Sequence, residues 1–228
     1  MQKIVVFNPK GGSGKTTVST NLASYYASQR YKTALMDYDP QGSSSFWLKQ
    51  RSAQCRSIQS INAARAKAGM TRSWQLHLEP GTQRVVVDSP AGANIDDFRR
   101  TLNAADAILI PVLPSDIDIH AVTHAIADLL LRAKINRSQK RIAVIANRSR
   151  KNTLVYQRLE RFLNTLDIPF VTTLRDTQNY VHAAEQGLGL FEMKRSKVEK
   201  DLHSWQPLIE WLDAKLDSSL EPELCQAI

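Results

Sequence analysis

The chain predicts an α/β fold: one domain with a mostly parallel sheet and helices on both faces. Three observations carry this. Short unbroken apolar runs rich in Val and Ile recur along the 228 residues, as expected of strands buried on both faces. Helical patterns separate the runs, which is how parallel strands are joined. Polar or special residues cluster just after the runs, at the carboxyl edge where open α/β sheets bind ligands. With 43% hydrophobic and 23% charged residues, the composition is that of an ordinary globular chain.

Residues 4–7, Ile-Val-Val-Phe, are the first apolar, β-branched run. A glycine-rich turn follows, and residues 16–29 then place Val18, Leu22, Tyr25 and Tyr26 at helical spacing. The second strand is expected at 33–36, ending at Asp37. Segment 49–78, rich in Ser, Gln and Arg, is the least regular; a short helix over 60–68 and an irregular excursion both fit it. Further strands are expected at 85–87, ending at Asp88, at 107–112, ending at Pro114, and at 141–146, ending at Asn147; 169–172 is a weaker sixth. Helices are expected over 96–104, 119–133, 153–166, 178–187 and 205–216. No repeat, linker or boundary interrupts the pattern, so residues 1–228 read as a single domain.

The net charge of +8 is unevenly placed. Residues 132–200 carry +9, and the tail 201–228 carries −5. A basic segment before an acidic tail fits a polyanion-binding face, and it also fits a solvated basic face with no partner. The longest apolar stretches fall far short of the roughly 20 residues a membrane-spanning helix needs. Met1-Gln2-Lys3 leads directly into the first strand, so no secretory signal is expected. Cys55 and Cys225 cannot build a disulfide scaffold and have no metal-ligand spacing around them. A cytoplasmic protein is the expectation. No Ser/His/Asp or Cys/His set is visible, and His120 and His124, four apart on a helix, lack a third metal ligand.

The strongest signal lies between the first strand and the first helix: Pro9-Lys10-Gly11-Gly12-Ser13-Gly14-Lys15-Thr16-Thr17. Glycines let the backbone wrap with its N–H groups inward, and the following helix presents its positive end to an anion. Lys15 is placed for the β- and γ-phosphates, and the Thr16 hydroxyl for Mg²⁺. A strict P-loop asks for Gly where Pro9 stands. The run from Lys10 to Thr16 instead resembles the deviant P-loop of the ParA/MinD family of dimerising ATPases, and the resemblance extends over roughly residues 3–190.

That resemblance implies a P-loop NTPase fold, ATP and Mg²⁺ as cofactors, and roles for individual residues. Lys10, Gly11, Gly12, Ser13, Gly14, Lys15, Thr16 and Thr17 would cradle the phosphates, with Lys10 crossing to the partner's nucleotide in an ATP-bound homodimer. Asp37-Tyr38-Asp39-Pro40-Gln41-Gly42-Ser43 resembles switch I: Asp39 would orient or polarise the attacking water, and Asp37 would support the Mg²⁺ shell or Lys15. Asp88-Ser89-Pro90-Ala91-Gly92 resembles Walker B and switch II, with Asp88 on Mg²⁺ through water and the Gly92 N–H towards the γ-phosphate. Asn147 matches the family's adenine contact, though a lone Asn after a strand also serves as a cap or turn residue.

The resemblance further implies a ParA-like activity: an ATP dimer that binds DNA without sequence preference, positions a cargo on the nucleoid, and is released when a ParB-like or other adaptor stimulates hydrolysis. Candidate DNA contacts are Arg148, Arg150, Lys151, Arg175, Lys194, Arg195, Lys197 and Lys200, chosen on charge density. The acidic C-terminal residues with Pro222 lack the basic amphipathic helix of MinD-like membrane anchors, so no membrane partner is expected. The alternatives are a nucleotide-gated protein-recruiting switch without DNA, a MinD-like regulator, or a metabolic ligase on the same fold. With the loop starting at residue 9, an N-terminal operator-binding extension is not expected.

Overall fold

Successive residues of a strand face opposite sides, and here each side finds its own core. The computed structural model describes residues 1–64, 69, 71–135, 141–149, 153–165 and 168–218. Its strands are β1 (Gln2–Val6), β2 (Thr33–Asp37), β3 (Ile58–Asn62), β4 (Arg84–Asp88), β5 (Ala107–Val112), β6 (Arg141–Ser149) and β7 (Phe170–Arg175). They form one seven-stranded sheet in the order β3-β2-β4-β1-β5-β6-β7. Every neighbouring pair is parallel, so the sheet is wholly rather than mostly so.

Val5, Val85, Val87, Ile108 and Ile110 pack on one face, under α4 (Ile95–Asn103), α5 (Asp116–Leu131) and α6 (Leu154–Thr165). Ile4, Val6, Val86 and Leu109 pack on the other. That side is covered by α1 (Lys15–Ser28), α2 (Ser43–Gln50), α7 (Asn179–Glu185) and α8 (Arg195–Ser218), which contribute Leu22, Trp47, Ala183 and Trp205 among others. Shorter helices form at α3 (Arg72–Gln75) and, as a single 3-10 turn, at Leu190–Glu192. Among the described residues no helix is long and apolar enough to cross a membrane.

The six expected strands form, with ends shifted by up to three residues. The helix expected over 60–68 does not: residues 58–62 are the edge strand β3, which pairs with β2 from Thr33↔Ile58 to Asp37↔Asn62, and 65–68 lie outside the described residues. An edge strand is buried on little of its surface, so it lacks the continuous apolar run that marks the inner strands. The last helix starts at Arg195, ten residues before its expected start; Val198 and Leu202 carry the apolar spacing of Trp205 back through its charged first turns. Of the basic cluster, Lys194 precedes this helix, and Arg195, Lys197 and Lys200 are in it. Pro207 lies inside α8; it has no N–H for the carbonyl of His203, and the neighbouring Ser204 carbonyl accepts the Thr172 hydroxyl.

Candidate functional site

The glycine-rich loop leaves β1 at the carboxyl edge and enters α1 through Gly14, whose φ of 91° only glycine holds without strain. A Cβ there would stand 1.9 Å from the Asn147 amide nitrogen, so close packing excludes a side chain as well. Strand register sets the acidic residues beside this loop: Asp37 at the end of β2 pairs with Asp88 at the end of β4, and Asp88 pairs with Val6 of β1.

Three donors expected to serve a nucleotide are bonded to carbonyls of the loop. Lys15 is buried, and its Nζ donates to the Lys10 carbonyl at 3.0 Å. The Gly92 N–H donates to the Pro9 carbonyl at 2.7 Å. Asn147 Nδ2 donates to the Ser13 carbonyl at 2.9 Å, while its Oδ1 accepts from the Arg148 N–H at 3.0 Å. Buried to 2% exposure, Asn147 braces the loop, and these two bonds use one of its two N–H donors and one of the two acceptor sites of its oxygen.

Burial lowers the Lys15 pKa below the ordinary lysine range, against the opposing charges of Asp88 and Asp39. The same cause raises Asp88 to about 7, with Asp37 adding repulsion and the nearby Thr16 and Ser44 hydroxyls pulling the other way. Asp88 Oδ1 accepts from Ser19 Oγ at 3.3 Å, and Oδ2 is buried without a partner. A buried carboxylate oxygen left unpaired costs stability unless a cation meets it. That orphan oxygen, beside Thr16, fits a hard divalent cation such as Mg²⁺.

Asp37 is engaged in the turn that follows it. Its Oδ1 accepts the Asp39 N–H at 3.0 Å and its Oδ2 the Ser45 N–H at 2.8 Å, so both oxygens order the turn into α2. Asp39 is half-buried and holds the Gln41 N–H at 2.9 Å, with its charge felt by Lys15. Lys10 points away from the loop: its Nζ lies 2.7 Å from Asp118 Oδ2 at the start of α5. Sequence reasoning missed Ser19, Asp118, whose spacing from Ser115 reads only as a helix cap, and the turn after Asp37 that makes residues 43–50 a helix.

The basic candidates divide. Lys194, Arg195, Lys197 and Lys200 are exposed and show no ion pair among the described residues. Arg148 is exposed at a bulge in β6 with φ 48°, where Ser149 pairs with Arg175. Arg175 is paired with buried Asp201 at 2.7 Å, which joins that corner to α8. Arg150, Lys151 and Cys225 lie outside the described residues. His120 and His124 meet edge to face at 4.6 Å, and no group of three metal-ligating side chains forms among the described residues.

Known proteins share the sequence pattern and the fold. Residues 4–191 match the profile of the CobQ/CobB/MinD/ParA nucleotide binding domain. The Maintenance of carboxysome distribution protein A of Halothiobacillus neapolitanus is 30% identical over 195 residues, 83% of this chain and 87% of that one. The chromosome-partitioning ATPase Soj of Thermus thermophilus is 25% identical over 188 residues, 70% and 74% of the two chains. Among solved structures, apo McdA of Cyanothece superposes with a TM-score of 0.69 at 18% identity, covering 91% of this chain and 99% of that one. A glycine-rich loop, a buried lysine and acidic strand ends on this sheet, together with a match over most of its length, make the chain a member of the CobQ/CobB/MinD/ParA family of P-loop ATPases.

Proposed function

We propose that this ATPase positions a cargo on DNA: with ATP and Mg²⁺ two copies form a dimer, the dimer binds DNA without sequence preference, and hydrolysis stimulated by an adaptor protein releases it. The observation that carries the reading is the convergence of Lys15, the orphan oxygen of Asp88 and half-exposed Asp39 at the carboxyl edge of one sheet. A triphosphate entering the loop takes Lys15 Nζ from the Lys10 carbonyl and Gly92 N–H from the Pro9 carbonyl, exchanging neutral acceptors for charged ones. Thr16 and Asp88 would hold Mg²⁺, which would supply charge neutralisation for the triphosphate. Asp39 orients a water for in-line attack on the γ-phosphorus; the bond to the leaving ADP oxygen breaks and the water's proton passes to the phosphate or to Asp39.

The exposed charges of Lys194, Arg195, Lys197, Lys200 and Arg148 support phosphate-backbone binding, which reads no base sequence. Among cargoes, the 30% likeness to a carboxysome distribution protein favours a protein-bounded compartment over a plasmid or chromosome. The pairing of Arg175 with Asp201 favours a second reading, a nucleotide-gated switch that recruits proteins without DNA. Imaging tests the choice. A fluorescent fusion should overlay the nucleoid, the Lys15→Ala fusion should spread through the cytoplasm, and deletion of the gene should leave the cargo clustered. A wild-type fusion that ignores the nucleoid while the cargo still spreads evenly would overturn the proposal.

A further inference from the structure

Lys10 is held at three points. Its N–H donates to Asn8 Oδ1 at 2.9 Å, its carbonyl accepts Lys15 Nζ at 3.0 Å, and its ammonium meets Asp118 Oδ2 at 2.7 Å. The Asp118 side chain is only 5% exposed, against 30% for Lys10. Ser115 Oγ donates to the same carboxylate oxygen, and the other oxygen is buried without a partner. Lys10 is the one cation paired with this carboxylate among the described residues.

Helix capping does not explain the arrangement. Ser115 caps α5 by accepting the Asp118 N–H at 3.1 Å. In a capping box the acid three residues on would return to the N–H of the cap, but the Ser115 N–H donates to the Leu113 carbonyl at 2.9 Å. Asp118 turns instead to the loop. A carboxylate so deeply buried is costly to leave without its cation, and one ammonium cannot both neutralise Asp118 and reach a phosphate in a facing subunit.

We infer that Asp118 is a latch on the dimerisation switch: it keeps the Lys10 ammonium within its own subunit until a facing triphosphate outcompetes it. The inference rests on the ATP-driven dimer proposed above. The two lysines act in sequence. A phosphate in the loop draws Lys15 Nζ off the Lys10 carbonyl and frees the main chain that presents Lys10. The partner's nucleotide then supplies the competing anion, and a triphosphate does so more strongly than a diphosphate. Asp118 thus sets how much negative charge the dimer requires and works through Lys10 as a positioning residue.

The test compares wild type with Asp118→Asn, which keeps the side-chain size and removes the charge. Dimer fraction is followed by sedimentation velocity against a non-hydrolysable ATP analogue and against ADP, with nucleotide affinity measured separately on dilute monomer. The latch predicts half-dimerisation at about tenfold lower analogue concentration in Asp118→Asn, at unchanged monomer affinity, with dimer also forming in ADP. An unchanged midpoint, or loss of dimerisation, overturns the latch. Wild type that stays monomeric in saturating analogue overturns the dimer reading itself. Should the variant not fold, zero-length carbodiimide cross-linking of wild type decides. A Lys10–Asp118 amide should form in nucleotide-free protein and vanish in the analogue-bound dimer; its absence from the first or persistence in the second overturns the latch.

Discussion

Lys15 and Asp88 are charged groups sharing one buried corner, and burial acts on them in opposite directions. Asp88 has a pKa raised from 3.8 to about 7, so the folded chain holds a proton that the unfolded chain gives up. Stability falls with rising pH wherever the native state binds more protons. Without metal, the protein should therefore lose stability as pH climbs from the ordinary carboxylate range through about 7, and lose no more above it. Urea midpoints in chelator at about pH 5 and about pH 8 check this, and Asp88→Asn should flatten the difference. Lys15→Ala should abolish nucleotide binding, read by fluorescent-nucleotide titration, because no other buried cation faces the loop among the described residues. Asp39→Ala should keep ATP binding and accumulate dimer while turnover falls by about 100-fold or more; a monomeric Asp39→Ala protein in ATP would contradict its role. These residues were legible in the sequence because phosphate binding constrains spacing along the chain. Ser19 and Asp118 were not, since each reaches the site from a helix and is defined by what it meets in space.

Helix α2 is fastened to the chain ahead of α8. Trp47 Nε1 donates to the Leu188 carbonyl at 3.1 Å, and Arg51 forms a buried fork with Glu192 at 2.6 and 2.9 Å. Gly187 makes the close approach possible: its φ is 63°, and a Cβ would stand 2.5 Å from the Gln50 backbone. Gly187→Ala should cost about 3 kcal/mol, combining overpacking with left-handed strain. Gly81, with φ 80° but only a lysine side-chain carbon 4.0 Å away, should cost about 1 kcal/mol when changed to Ala. Urea unfolding of the two variants checks the difference. Inner strands were easy to read because β1, β4 and β5 are buried on both faces and so must be continuously apolar. Strand β3 has Ile58 and Ile61 three residues apart, a spacing that suits a helix and not the period of two of a strand, and its edge is partly covered by Gln75, whose Nε2 donates to the Asn62 carbonyl. That pattern hides a strand from any reading of periodicity.

Over the whole molecule, the carboxyl edge carries the phosphate loop and acidic groups, while the excess of positive charge lies in residues 132–200. The fold was almost fully legible, since alternating buried strands and helices permit few arrangements. The surface use of charge was less so, because Lys and Arg look alike in sequence whether solvated, paired as Arg175 is, or free to meet phosphate. Retention on random-sequence duplex DNA, with ATP, with ADP and without nucleotide across a salt series, tests the central claim most directly. The account predicts retention with ATP alone, weakening steeply as salt rises, because each phosphate contact releases counterions. Retention that is equal in all three states, or absent from all of them while the ATP dimer forms, would contradict it.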